Sequence, residues 1–341
     1  MDIHTNIPLK NYTTMKLGGN ARFLADILKP EDIPNLLATA AQQSLPVAIL
    51  GGGSNTIVHD EGYNGLVLRI RIPGITTIAE DLNTVTIKVG AGEPWDNVVK
   101  YTVDLRLTGI EAMSAIPGTA GAAPVQNVGA YGQEVADTLV SLEVYDTETN
   151  TFVTLTNDQC RFSYRNSIFR DEARGRYIIT SITLQLSKNL PSPPFYDALQ
   201  RYLDENNIAT YTHQTIRDAV IAIRKEKLPD PVERPNAGSF FKNAIIESWQ
   251  LPDIQAIDPD VPTYDMGDGR YKIPTGWLIE KTGLKGQLLH GMRIHDKNAL
   301  VLINESATSY EDLAKARDEI TTMVRAMFRV EISQEPLELP S

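Results

Sequence analysis

An α+β fold in more than one domain is predicted by three features of this sequence. Helical and strand-like hydrophobic periods alternate along it, the strand-like runs in the middle are joined through polar turns, and a proline cluster precedes a more helical last third. The 341 residues suit two or three domains rather than one. Hydrophobic residues make up 42% and charged residues 22%, and no run approaches the ~18 apolar residues of a membrane span. Neither disorder nor membrane insertion is expected. The N-terminus has no basic segment followed by an apolar one, which points to a cytoplasmic, bacterial-type enzyme.

Residues 31–44 place Ile33, Leu36, Leu37, Ala40 and Ala41 at helical spacing. "LPVAILGGGSN" is an apolar run ending on three glycines, a buried strand entering a tight loop. Residues 64–70 read as another strand. Alternation and β-branched content predict a hairpin over 75–92, and the same pattern returns over 141–156. Between them 94–105 is an amphipathic helix, and 176–186 is a further strand. "PSPP" at 191–194 marks a boundary, followed by a helix to 207 and a second over 215–227. Later come a helix over 275–286, a strand over 299–304 and a long amphipathic helix over 309–330, with Leu313, Ile320, Val324 and Met327 on one face. Residues 331–341 read as a short tail.

A net charge of −11 repels phosphodiester backbones, so no nucleic-acid partner is expected; basic residues gather only in "IRKEK" at 223–227. The single cysteine, Cys160, excludes an internal disulfide and a cysteine zinc cluster. The five histidines show no ligand spacing, so no metal site is expected.

Two loops and one serine draw attention. "GGGSN" at 51–55 lacks the Gly-Lys of a Walker A loop, and Thr56 stands where a dinucleotide fingerprint needs its last glycine. Alone it is either a tight turn or a phosphate cradle. "IPGTAGAAPVQNVGAYGQE" at 116–134 sets four glycines among alanines, with Ser114, Thr119, Gln126 and Asn127 able to hydrogen-bond. Two such loops suit a long ligand with two phosphates and a ring. Ser239, in "NAGSFFKN", admits three readings: a helix cap, a nucleophile or a proton donor. Its surroundings are not G-x-S-x-G, and no oxyanion-hole signature accompanies it.

In chain order, "LGGGSN" with "NTIVHDEGYNGLVLRI", then "IPGTAGAAPVQNVGAYGQE", "CRFSYRNSIFR", "KLPDP", "NAGSFFKN" and "GWLIEKTGLKG" resemble the UDP-N-acetylenolpyruvoylglucosamine reductase family of peptidoglycan synthesis, from about Asn11 to Glu335. The resemblance implies a two-part FAD-binding fold of the vanillyl-alcohol oxidase/PCMH type plus a C-terminal α+β substrate-binding domain. The implied divisions are 1–72, joined by the returning tail 333–341, then 73–214 and 215–332. It implies FAD held by Gly51, Gly52, Gly53, Ser54 and Asn55 and by Ile116, Pro117, Gly118, Thr119, Gly121, Ala122, Gln126, Asn127, Gly129, Ala130 and Tyr131.

The implied reaction is NADPH-dependent reduction of UDP-N-acetylglucosamine enolpyruvate to UDP-N-acetylmuramate, by a monomer whose partners are small molecules. Arg165 would grip the substrate carboxylate, Ser239 would donate the proton, and Glu335 would polarise the developing enol as a protonated acid. Tyr196, Lys227, Asn243 and Asn298 match substrate-binding positions. Pro336-Leu337 follow Glu335 where the family usually has Val-Arg. Two other readings stay open: a flavin oxidase of the same fold, and a nucleotide-sugar-binding regulator without chemistry.

Overall fold

The computed structural model describes residues 2–340, which form two compact units of discontinuous segments. The first takes the chain up to Ile7, then Ala21–Gly53 and Asn64–Glu226. The second takes Pro8–Asn20, Ser54–Tyr63 and the chain from Lys227 onward.

In the first unit, four strands run in the order Ile3–Pro8, Asn20–Ile27, Tyr63–Ile70, Val47–Leu50. Helix Asp32–Gln42 buries Ile33, Leu36 and Ala40, three points of one helical stripe, with Ile27, Leu66 and Leu68 of this sheet. The two β-rich runs pair as hairpins, Ile75–Glu80 with Thr84–Gly90 and Leu139–Asp146 with Thr151–Thr156. Tyr177–Ser187 lies between them and completes a five-stranded antiparallel sheet. Helix Trp95–Asp104 adds Trp95, Val98, Val99 and Val103 to the core that both sheets share.

Helices Asp197–Glu205 and His213–Lys227 close on each other through Leu199, Leu203, Ile216, Val220 and Ile223, with Ala112 and Tyr131 alongside. Their contacts place them in the first unit as far as Glu226, and the sequence-based boundary at 214/215 falls inside the second helix.

The second unit holds an antiparallel sheet in the order Asn236–Ser239, Val301–Asn304, Met292–Ile294, Leu288–Leu289. A smaller one pairs Ala244–Glu247, Arg270–Ile273 and Tyr264–Asp265. Met15, Leu17 and Ile57 enter the same core from the N-terminal segments. Helix Tyr310–Phe328 begins with a capping box: Ser309 accepts from the Asp312 amide, and the Asp312 carboxylate accepts from the Ser309 amide. Asp60 accepts from the amides of Tyr310 and Glu311, putting a second carboxylate at the positive end of the helix.

The expected apolar stripe of this helix needs one correction. Its buried residues are Leu313, Ala316, Ile320, Val324 and Phe328. Four residues beyond Val324 is Phe328, which is 2% exposed and packs its ring against Trp277 at 5.7 Å; Met327 is 44% exposed. A step of three also satisfies helical spacing, so the sequence alone does not separate the two positions.

The tail forms a strand. Leu337–Leu339 pairs in parallel with Thr56–Val58. Among the described residues, no helix is long and apolar enough to cross a membrane, and no group of His, Cys, Asp and Glu could hold a metal ion.

Phe328→Ala should destabilise the protein by about 3–5 kcal/mol, as for a buried aromatic, and Met327→Ala by less than about 1 kcal/mol. Urea unfolding measures both; equal losses would contradict this assignment of the buried face.

Candidate active site

The two glycine loops meet within the first unit. A Cβ on Gly52 would stand 2.9 Å from the Gly118 Cα, and one on Gly51 would stand 2.9 Å from Thr119 Oγ1. At Gly52 backbone therefore lies against backbone, and at Gly51 backbone lies against the Thr119 side chain, approaches that leave no room for a Cβ. Gly53 and Gly118 have φ of +65° and +120°. Part of the first loop is thus a tight turn in its own right. Loops of this shape also turn successive amides toward an anion. Their small side chains and close approach fit the diphosphate of FAD, whose candidate contacts Gly51–Gly53 and Ile116–Tyr131 they carry.

A charged cluster supports the second loop where it begins. Ala115 holds a left-handed φ of +57°, unusual for a residue with a Cβ. Its N–H donates to Asp96 Oδ1 at 2.6 Å, and its C=O accepts from Arg224 Nε at 3.2 Å. Asp96 also accepts two N–H groups of Arg217, at 2.7 and 2.8 Å, and Arg217 donates to Ser114 Oγ at 3.0 Å. Burial alone would raise the Asp96 pKa; hydrogen bonds from Arg217 and Ala115, with the arginine charges, reverse this and hold it low. The Asp96 carboxylate in turn raises the Arg217 pKa.

Arg224 is the contrasting case. Burial pulls its pKa down, the charge of Arg165 adds to that, and Tyr131 and Asp96 oppose it. Sequence reading missed both residues. The available signal was two arginines seven residues apart, and so two helical turns along one face, next to the buried stripe Ile216, Val220, Ile223.

Arg165 donates from Nη2 to the Gly129 C=O at 3.0 Å, so it sits against the second loop. Its φ of +53° is a second left-handed position, and its guanidinium lies 5.7 Å from the Tyr164 ring centroid. Tyr131, also left-handed, meets the exposed ring of Tyr196 edge-on at 6.1 Å. Burial raises the Tyr131 pKa. Gln126 accepts from Arg170 at 3.0 Å. Asn127 is buried; its amide donates to Glu134 at 2.6 Å and its oxygen accepts from the Ala136 N–H at 3.0 Å. Those bonds account for its side chain by structure alone. Cys160 is buried and donates to the Thr156 C=O; burial pushes its thiol up to about 12, so it offers no thiolate at neutral pH.

Ser54, Asn55, Lys227, Ser239, Asn243, Asn298 and Glu335 fall in the second unit. Ser239 ends the strand Asn236–Ser239, opposite Val301. No helix starts there, which removes the cap reading. Gly238, at φ +71°, makes the bend, and its N–H donates to the Asn236 side chain at 2.8 Å. Phe240 and Phe241 follow, both fully buried, their rings 5.0 Å apart. They pin the backbone on one side of the serine.

The tail returns to this segment. The Glu335 N–H donates to the Phe240 C=O at 2.8 Å, and Lys242 N–H to Ser333 C=O at 2.9 Å. Glu335 is buried. Asn243 Oδ1 accepts from the Thr275 N–H at 3.3 Å, and Asn298 Oδ1 from the Leu300 N–H at 3.1 Å; both oxygens thus shape local backbone. Lys227 is an exposed residue at a helix end.

Comparison with known proteins bears on this arrangement. Residues 26–156 match the family model described as FAD binding domain, and residues 230–338 match the one described as UDP-N-acetylenolpyruvoylglucosamine reductase, C-terminal domain. A reductase of that name from Dechloromonas aromatica is 39% identical, covering 99% of this chain and 100% of its own. One from Ralstonia nicotianae is 40% identical over 97% of each. The chain belongs to this family. It is an oxidoreductase with a flavin-binding domain. A crystal structure of such a reductase from Thermus caldophilus superposes with a TM-score of 0.67 at 24% identity, covering 99% of both chains, a likeness of fold.

Asp96→Ala would remove the support of the second loop. It should weaken FAD affinity by about tenfold and cost on the order of 2 kcal/mol of stability, less than a fully buried pair because 39% of the Asp96 side chain is exposed. Because Asp96 titrates below its ordinary value near 4, its contribution is complete above that pH and is lost as the pH falls through the lower folded value. Flavin fluorescence titrations from pH 7 to pH 3 measure this. Wild-type affinity should fall on the acid side and Asp96→Asn should lack that limb; identical profiles would contradict the role.

Proposed function

We propose that this chain reduces the enolpyruvyl ether of UDP-N-acetylglucosamine to UDP-N-acetylmuramate, with NADPH as the source of reducing equivalents. Family membership supports the reaction class. The observation that carries the residue roles is the hydrogen bond from Glu335 N–H to Phe240 C=O, which holds a buried carboxyl-bearing residue beside the serine segment. FAD, when bound, supplies hydride chemistry toward both NADPH and the substrate.

The side chains have the remaining tasks. As the CH2 terminus of the substrate gains a hydride, negative charge builds on the carbon beside the carboxylate and spreads into it. Arg165 answers this with a guanidinium that pairs two N–H groups with one carboxylate. Arg224 adds a second positive charge in the same unit. Burial penalises that charge, so Arg224 favours an anionic ligand. Ser239 Oγ–H delivers the proton to the charged carbon, and Glu335, as a buried acid, hydrogen-bonds the enol oxygen.

Lys227 serves a phosphate or eases a transient serine alkoxide. The exposed Tyr196 ring covers the nucleotide diphosphate, and Asn243 and Asn298 contribute amide N–H groups. The open backbone at Gly52–Gly53 and Gly118–Thr119 holds the flavin diphosphate.

Anaerobic stopped-flow spectroscopy tests this. NADPH should bleach the bound flavin, and the enolpyruvyl nucleotide should restore its colour. Ser239→Ala should leave bleaching unchanged and slow colour recovery by about a hundredfold or more. Equal slowing of both steps would overturn the proton-donor role, and a protein that binds no FAD would overturn the whole reading.

A further inference from the structure

Besides its backbone pairing, the C-terminal strand is tied to its surroundings through one carboxylate. Glu338 Oε1 accepts from Arg317 Nη1 at 2.7 Å, Tyr310 Oη at 2.9 Å and Gln334 Nε2 at 3.0 Å. Its Oε2 lies 3.0 Å from His59 Nε2. The His59 ring stacks on Tyr310 with centroids 3.9 Å apart. These partners come from three places: the segment after strand Thr56–Val58, the long helix Tyr310–Phe328, and the tail itself. All belong to the second unit. Burial would raise the Glu338 pKa, but hydrogen bonds from His59, Gln334 and Tyr310, with the charge of Arg317, lower it overall, so the group is ionised at neutral pH.

The cluster is coupled to Glu335 by short links. Gln334, its neighbour, accepts from Arg317 Nη1 at 2.9 Å and donates to both Glu338 and the Pro336 C=O. On the other side of Glu335, Pro336 has no N–H to pair and a restricted φ. A shift at residue 338 therefore reaches Glu335 through a stiff residue and through Gln334. The backbone bonds flanking this step run to two functional segments. Glu335 N–H meets Phe240 next to Ser239, and Leu337 N–H meets the C=O of Asn55 at the end of the first glycine loop.

We infer that Glu338, clamped by Arg317, is a positioning residue that fixes Glu335 against the serine segment during proton delivery. The inference rests on the role proposed above for Glu335. Glu338 is engaged by Arg317, Tyr310, Gln334 and His59, and it acts by removing freedom from the tail. A misplacement of the acid by an ångström is enough to slow such a step severely.

The test uses the full-length, FAD-loaded protein in anaerobic stopped flow. Glu338→Gln keeps the size of the side chain but removes its charge. Bleaching by NADPH should proceed at the wild-type rate. Colour recovery at saturating enolpyruvyl nucleotide should be at least about tenfold slower, with the half-saturating substrate concentration within about twofold of wild type. Arg317→Met should give the same split, and it tests the clamp independently should Glu338→Gln lose FAD. The double variant should be no slower than the slower single variant, as expected for two members of one clamp. Wild-type recovery rates in both single variants, slowing of both half-reactions alike, or additive losses in the double variant would overturn the inference while leaving the proposed function standing. A wild-type protein that is neither bleached by NADPH nor restored by the enolpyruvyl nucleotide would overturn both.

Discussion

The hydrogen bond between the Glu335 N–H and the Phe240 C=O is the constraint on which the chemistry proposed for the second unit depends. It is short and formed by backbone, so its geometry does not vary with side-chain rotamers. On one side Phe240 and Phe241 are buried in the core and fix the height of the chain after Ser239. On the other, the tail continues into a strand beside Thr56–Val58. The serine, the acid and the end of a glycine loop are thereby held by three neighbouring backbone contacts in one unit. A free terminus would keep its conformational entropy and present a carboxylate to water. Pairing both sides of residue 335 removes that freedom.

The first unit uses charge for a similar purpose. Ala115 adopts a backbone conformation that its Cβ disfavours, at the entrance of the long Gly/Ala loop. Asp96 compensates by accepting the Ala115 N–H together with two N–H groups of Arg217. The same helix brings Arg224 to the Ala115 C=O. One helix thus supplies both the cation that braces the loop and a second cation whose charge its surroundings disfavour. Arg217 is raised chiefly by its hydrogen bonds to Asp96, whereas Arg224 is lowered by desolvation and meets a backbone carbonyl, the Ala115 C=O, at the same loop entrance.

Much of this was legible in the sequence. The hairpins at 75–92 and 141–156 were, because β-branched alternation is a local signal. Helix 32–42 was, because its stripe is regular. The glycine loops stood out because such density has few structural uses away from close backbone approach. Ser239 stood out on its own surroundings, but its role as proton donor and the choice of Glu335 came only through the resemblance, and their pairing was not foreseen. The tail strand was invisible for a physical reason: three residues between Pro336 and Pro340 have no strand propensity of their own, and their partner lies at residues 56–58. Arg224 stood only as part of the short basic stretch 223–227, and Arg217 drew no attention, since its partner Asp96 is 121 positions away. Phe328 and Met327 differ by one residue, within the tolerance of any helical period.

The most direct test of this account is amide hydrogen exchange at Glu335 in the wild-type protein, resolved by NMR or by fragmentation mass spectrometry. The account predicts protection at Glu335 comparable to that of the core strand Val301–Asn304, because its N–H is engaged and the residues on both sides are paired. Exchange at Glu335 at the rate of an unstructured peptide would contradict the claim that the tail is a fixed part of the serine segment.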